Sequence, residues 1–403
     1  MELKEIINAT REETIALRRD FHRHPELGLQ EVRTGDKVAA YLKALDLEVS
    51  RLNVTGVCGL LRGDLPGPTL LLRADMDALP IQEETAVAHQ SVHDGVMHAC
   101  GHDAHTAMMM VAAKILAGMR SRLKGNIKFV FEPNEENVGA LAMIEEGVME
   151  APRVDACMGL HVWNQLPLGK AGITAGAIMA GMAHFELVIK GKGGHTATPQ
   201  SAVDPILAAA AVIQGVQAVQ TREIDVLKEP TLIMFGQIQG GSASNVIPDA
   251  VTLTGTLRYL FEGPEESPDN PRNRFERVVA NLCAAYRAGY ELSFLYGHPT
   301  LVNHRGMCDL LNTVAVSHLA APLEPVSLVT LAGEDFSEFA ARAPSVFCLL
   351  GAGKRDAYNY PHHHARFDID ESVLQPGVEL LVRGALQFFE KTDQLDFLKK
   401  GGD

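Results

Sequence analysis

The stretch TLLLRADMDALP, residues 69–80, is a short apolar run that breaks off in two acids, Asp75 and Asp77. A run of this length, bounded by polar residues, reads as a buried strand. Alternate residues of an extended chain face one way, so both carboxylates can address one pocket at the strand's end. Outward from there, 104–119 carries apolar residues at helical spacing. Residues 126–131 (NIKFVF) read as a strand, 138–149 as a helix and 156–162 (ACMGLHV) as another strand. This alternation predicts an α/β domain with a mainly parallel sheet covered by helices. Ligands of such sheets sit beyond the carboxyl ends of the strands, where the polar clusters of this chain fall.

The pattern changes near residue 180. Residues 184–192 (HFELVIKGK) alternate apolar and polar, as a half-exposed strand does. An alanine-rich helix over 202–220 follows, then alternating strands at 232–239 and 251–259, a helix at 272–288 and a strand at 290–296. The order βαββαβ describes a small antiparallel sheet with two helices on one face. It interrupts the larger domain, so the expected boundaries are 1–180 and 298–403 for the two parts of the first domain and 181–297 for an inserted α+β domain.

Composition narrows the function. The 403 residues are 46% hydrophobic and 21% charged, ordinary globular values that exclude a disordered chain. The net charge of −14 disfavours nucleic acid and anionic membrane as partners. Six scattered cysteines make no disulfide framework, the N-terminus shows no signal peptide, and no window is apolar enough to span a bilayer. A cytoplasmic protein is the expectation. No G-x-G-x-x-G follows a strand, so nicotinamide chemistry lacks support.

The densest chemistry is HACGHDAHT, 98–106, which offers His98, Cys100, His102, Asp103 and His105 within eight positions. Thiolate and imidazole two residues apart suit zinc or a similar transition metal, although a capped, histidine-rich helix entry would look alike. No second pair completes a closed zinc finger. The adjacent Glu135 and Glu136 end the strand 126–131, where one can ligate metal and the other act as a base. His161 ends the strand 156–162. One of Asp75 and Asp77 can orient a histidine ligand. His362, His363 and His364 are consecutive, so at most one or two of them face one ion. Four clusters after strands of one domain exceed the needs of one ion, and a two-metal hydrolytic site is the economical reading.

These residues resemble a known family: the amidohydrolase branch of the aminoacylase and carboxypeptidase-G metallopeptidases, with its hippurate hydrolases, N-acyl-amino-acid amidohydrolases and auxin–amino-acid conjugate hydrolases. The motifs run in family order from RRDFHRHPELG (18–28) through RADMDALP (73–80), MHACGHDAHT (97–106), the Glu–Glu pair and GLHVW (159–163). They continue with KGKGGHTATP (190–199), NVIPDAVTLTGTLR (245–258), GEDFSEF (333–339) and HHARFDIDE (363–371). The resemblance implies metal ligation by Cys100, His102, Glu136, His161 and His363, the last lying four residues before Phe367. His362 and His364 stand as alternatives to it. It implies Glu135 as general base and Asp77 as the acid supporting the metals. His195 would stabilise the oxyanion at a neighbouring active site, and Asn245 and Arg258 would hold a substrate carboxylate. Two departures stand out: the Glu pair sits between Glu132-Pro133-Asn134 and Asn137-Val138-Gly139, where Gln-Pro-Ala and a glycine-rich turn are usual, and the HHHA run 362–365 replaces a more usual pattern with Pro after the ligand.

The resemblance further implies a di-metal hydrolase domain carrying an inserted dimerisation or lid domain, two divalent ions per chain (zinc, manganese, cobalt or nickel) and a homo-oligomer, dimer or tetramer. The expected reaction is hydrolysis of N-acyl amino acids with N-acetyl, N-benzoyl or indole-acetyl groups. The alternatives are a dipeptidase or carboxypeptidase, an N-acetyl-diaminopimelate deacetylase, and, remotely, a non-catalytic metal-binding scaffold.

Overall fold

The structure, a computed structural model, describes residues 2–355 and 358–398; residues 399–403, the end of the expected third segment, lie outside them. The chain divides into two compact units. One comprises the residues up to Gly176, Val302–Leu328 and those from Glu338 on; the other comprises Ala177–Leu301 and Val329–Ser337.

The first unit opens with helices α1 (Leu3–Ala9), α2 (Arg11–Arg23) and α3 (Val32–Lys43) and strands β1 (Glu48–Leu52), β2 (Gly56–Arg62) and β3 (Leu65–Asp75). Then come α4 (His102–Ala117), β4 (Lys124–Glu132), α5 (Ala140–Glu145), β5 (Ala156–Pro167) and β6 (Lys170–Gly172). The second unit contributes β7 (Gly181–Lys190), α6 (Pro205–Gly215), β8 (Thr231–Gly240), β9 (Ala250–Tyr259), α7 (Pro271–Ala285) and β10 (Gly289–His298). The first unit resumes with α8 (Arg305–Ser317), β11 (Glu324–Val326), β12 (Ser345–Gly353) and α9 (Leu374–Lys391).

Among the described residues the first unit holds an eight-stranded mixed sheet, β1-β2-β4-β3-β5-β12-β6-β11. Its centre, β4-β3-β5-β12, is parallel. Thr69–Asp75 and all of β12 are buried, as strands covered on both faces must be. Their apolar side chains join α4, α8 and α9 in one core, with Leu70, Leu72, Met108, Phe129, Leu350 and Phe388 within it. The antiparallel edge β1–β2 is not evident from the strand pattern that starts at residue 69.

The second unit is a four-stranded antiparallel sheet, β8-β9-β7-β10, whose inner face meets α6 and α7 around Phe185, Leu253 and Phe275. Its element order is the βαββαβ read from the sequence. Two expected helices are shorter. The one at 138–149 is confined to Ala140–Glu145, since Val138 before it and Gly147 after it take left-handed backbone angles. The one at 202–220 ends at Gly215 and continues, after a break, as a wider turn at Val219–Glu223. Among the described residues no helix is long and apolar enough to cross a membrane.

Candidate metal centre and active site

Two strand ends and the middle of a third strand bring the polar residues together, since β5 runs on to Pro167 instead of ending beside His161. Asp75 closes β3, Glu132 closes β4, and His161 lies in β5 beside them. Gly101 delivers the first turn of α4 to the same place. Its φ of 99° is left-handed, and a Cβ there would lie 2.4 Å from Val162 Cγ2, so only glycine permits the approach. The rings of His102 and His161 thereby come within 5.8 Å, centroid to centroid.

Hydrogen bonds sort the polar groups into those held for scaffolding and those left facing the pocket. His102 Nδ1–H donates to Asp77, at 2.9 Å from the backbone O and 3.1 Å from Oδ1. Its Nε2 is left buried without a hydrogen-bond partner. His161 Nδ1–H donates to Val162 O at 2.7 Å, and its Nε2 lies 3.4 Å from Cys100 Sγ. Cys100, His102 and Glu136 each offer a donor atom within 4.8 Å of the others. His363 Nε2 stands 3.1 Å from Glu136 Oε1, and its backbone N–H donates to Ala99 O. Of its two neighbours, His362 packs against His161, ring centroids 5.3 Å apart, but its Nε2 bonds Val162 O at 3.0 Å, and His364 stacks on Tyr360.

His105 and Asp75 lie within the cluster but are already engaged. His105 Nδ1 meets Asp75 Oδ1 at 2.6 Å while its Nε2 accepts the Val162 amide at 2.8 Å. Asp75 Oδ2 takes Arg73 Nη1 at 2.8 Å, and Arg73 Nε reaches Glu132 at 2.7 Å. Burial keeps His98 neutral, lowering its pKa to about 3. The inward-facing donors are therefore one thiol, three imidazole nitrogens and a carboxylate, with Glu135 Oε2 3.9 Å from His102 Nε2.

The local charges call for cations. Burial opposes an imidazolium at His102, yet Asp75, Asp77 and Glu136 outweigh it and raise its pKa to about 10. Burial and the acids Glu136, Glu135 and Asp75 push the Cys100 thiol well up. Burial, with His105 and His362 nearby, holds His161 far down, hence neutral. A divalent cation would reverse the first two shifts by replacing the proton on each ligand. Sulfur, nitrogen and oxygen donors together fit two divalent ions of the zinc, manganese, cobalt or nickel type.

The Glu pair rides on a turn, Glu135–Asn137, flanked by two left-handed residues, Asn134 (φ 61°, ψ 37°) and Val138 (φ 63°, ψ 65°). Asparagine tolerates this region better than alanine, which gives the departure at 134 a physical reason. Asn134 and Asn137 also bond side chain to side chain at 3.3 Å. The Glu136 amide donates to Asp77 Oδ2 at 3.1 Å. Asp77 thus joins the start of α4 to this turn.

In the second unit His195 and Asn245 fall together. The short strands Gly194–His195 and Val246–Ile247 pair, with Val246 opposite His195. They line a recess of about 680 Å³ with Gly193, Ser242 and Asp249. His195 Nδ1 accepts the Ala197 amide at 3.0 Å, so Nε2 carries the proton and faces out as a donor. Arg258 is not brought to them. It lies eight residues along β9 from Ala250, about 26 Å at roughly 3.3 Å per residue, with Nη1 on Leu331 O at 3.1 Å.

The motif reading missed a buried ionic web. Arg18, 1% exposed, reaches Asp103 (2.9 Å), Glu371 (3.1 Å) and Asp368 (3.2 Å). His22 bridges Asp103 and Glu83 at 2.8 and 3.2 Å. The only signal was that Arg18 and His22 fall in the RRDFHRHPELG motif, since their partners lie as far as 353 residues away.

Comparison with known proteins agrees with this chemistry. Residues 71–387 match the family model of peptidase family M20/M25/M40. An N-acetylcysteine deacetylase of Bacillus subtilis is 38% identical over 369 residues, 89% of this chain and 92% of that protein. Thermostable carboxypeptidase 1 of Saccharolobus solfataricus is 35% identical, covering 96% of this chain and 98% of that one. An IAA-amino acid hydrolase of Arabidopsis thaliana, ILR1-like 2, is 35% identical, covering 94% and 85%. The solved structure of the Bacillus subtilis YXEP protein, a dinuclear metal binding peptidase, superposes with a TM-score of 0.80 at 33% identity, covering 95% of this chain and 99% of that one. With its donors gathered for two divalent ions at the strand ends, the chain belongs to peptidase family M20/M25/M40, amidohydrolase branch, and is a metal-dependent hydrolase of amide bonds.

Proposed function

We propose that the protein cleaves the amide bond of N-acyl amino acids, releasing a carboxylic acid and a free amino acid. The observation that carries the reading is the adjacency of Glu135 to the donor cluster of Cys100, His102, Glu136, His161 and His363. Two divalent cations held by these five residues would lower the pKa of a water and polarise the acyl carbonyl. Glu135 takes the proton of that water as its oxygen adds to the acyl carbon, then returns it to the leaving amine nitrogen. Asp77 keeps His102 in the tautomer that offers Nε2. His195 Nε2–H donates to the developing oxyanion. Arg258 and Asn245 hold the α-carboxylate, the guanidinium as a two-pronged donor.

Relatives named as a deacetylase of N-acetylcysteine and as an IAA-amino acid hydrolase support an N-acyl substrate, with the acyl group left to experiment. The carboxypeptidase relative favours a second reading, removal of C-terminal residues from peptides. Arg258 serves either, since both substrates end in a carboxylate. Six buried free thiols suit a reducing cytoplasm. Because Arg258 lies about 26 Å from the recess of His195 and Asn245, a substrate held by all three needs two copies of the chain, which supports a dimer or a larger homo-oligomer.

The test is amine release from N-acetyl, N-benzoyl and indole-acetyl amino acids beside plain peptides. Each is assayed after chelation and after re-addition of zinc, manganese, cobalt or nickel. Metal-dependent turnover of one acyl class is expected; turnover of peptides alone transfers the reading to a carboxypeptidase. In Glu135→Gln, kcat should fall by roughly 10²–10⁴ with bound metal unchanged. Full activity in that variant removes Glu135 as the base.

A further inference from the structure

We propose that Glu31 is a positioning residue for the general base, acting through the backbone of the turn that carries Glu135. The inference rests on the reading of Glu135 above.

Glu31 directly precedes α3, is fully buried, and accepts two hydrogen bonds. Oε1 takes the Asn134 amide at 2.9 Å, and Oε2 takes the Thr55 hydroxyl at 2.7 Å. Asn134 is the left-handed residue from which the 135–137 turn departs. Two residues on, the Glu136 amide is held by Asp77 Oδ2. The backbone on each side of Glu135 is thus tied by a different carboxylate, one from each side of the turn.

The segment before Glu31 reinforces the same place. The Ala78 amide donates to Glu26 O at 2.8 Å, and Leu27 pairs with Ala78 as an isolated parallel bridge. Gly28 lies so close to Asn134 that a Cβ on it would come within 2.0 Å of Asn134 Oδ1. The Glu26 carboxylate in turn accepts the Arg33 and Thr34 amides at the first turn of α3, at 2.9 and 2.8 Å. One loop, 26–31, therefore braces both the loop bearing Asp77 and the turn bearing Glu135. A left-handed asparagine has an extended alternative close in energy, and removing its amide's acceptor lets the turn reach it. Displacement of Glu135 by about 1 Å is enough to lower turnover about a hundredfold while leaving the substrate anchors untouched.

The experiment compares Glu31→Ala, Glu31→Gln and Glu31→Asp in the metal-loaded full-length protein, with Glu135→Gln as reference. For Glu31→Ala we expect kcat to fall roughly 10–100-fold, with KM within about threefold and metal content unchanged. Glu31→Gln should recover most of kcat, because its amide oxygen accepts the Asn134 N–H while its NH₂ donates to Thr55 Oγ. Glu31→Asp is one methylene short of Asn134 and should resemble Ala; it carries the test if Ala does not fold. Wild-type kcat in Ala or Asp overturns the proposal, as does Gln being as impaired as Ala. A fully active Glu135→Gln would instead overturn the assignment of the base, so the two failures are distinct.

Discussion

Glu31 also exposes the energetic cost of placing acids in this pocket. Burial and the nearby Asp77 charge push its carboxyl up to about 7, against the pull of its hydrogen bonds to Thr55 and Asn134. An unfolded chain releases that proton near 4.3. Between these values the native state holds a proton the unfolded state has lost, so stability falls as pH rises through the window. Glu31→Gln has no such proton. In thermal melts of chelated protein its Tm should therefore gain on wild type between pH 5 and pH 8. A Tm difference that is the same at both pH values rules this out. Val138 bears a different cost, a β-branched residue at φ 63°. Only the structure reveals its backbone angle.

At the scale of elements, the Arg18 web binds α2 to the first turn of α4 through Asp103 and to the segment before α9 through Asp368 and Glu371. That segment follows the histidine triple, and α4 begins with His102, so both donor-bearing pieces are anchored on one guanidinium. Although burial raises carboxylate pKa values, Arg18 holds Asp103 and Asp368 below the usual range; at Glu371 the same is done by Arg19 and Arg18. Depressed carboxylates contribute stability above their unfolded pKa of about 4 and lose it as pH falls further. Arg18→Met leaves the buried Asp103 without its guanidinium, while Glu371 keeps Arg19 and Asp368 keeps Lys354. It should cost about 3–5 kcal/mol at pH 7 and flatten the acid limb of the pH–stability curve. Urea unfolding at pH 7 and pH 3 reads both effects, and an unchanged neutral stability contradicts them.

The same elements show what the sequence made legible. Strand ends announce themselves by an apolar run breaking into acids, as at Asp75 and at Glu132, three residues before Glu135. The donors therefore stood out before any coordinates, and so did the βαββαβ order. His363 could be singled out from its neighbours only by resemblance; the structure separates them by geometry, since His362 spends its Nε2 on Val162 O. Arg18, His22, His105 and Glu31 were opaque as to role. Each works through a hydrogen bond to a residue far away in the chain, and no local period encodes such a partner. The limits of α5 were equally hidden, because left-handed backbone at Val138 and Gly147 sets them.

For the whole molecule, the length of β9 between Arg258 and Ala250, next to the recess of His195, gives the sharpest consequence. If each reaction centre draws His195 from a neighbouring copy, Glu135→Gln and His195→Ala chains are each inactive alone yet complementary. Mixing them under subunit exchange should restore roughly a quarter of wild-type activity, one competent centre in each mixed dimer. No recovery, with mixed dimers demonstrated, removes the shared centre. If the centre is shared, the ten residues of β9 would act as a spacer that divides one reaction between two polypeptides. A lone copy at high dilution would be a folded protein holding only part of a reaction centre. Specific activity would then decline with dilution itself, and the rate curve would report the association constant of the chains.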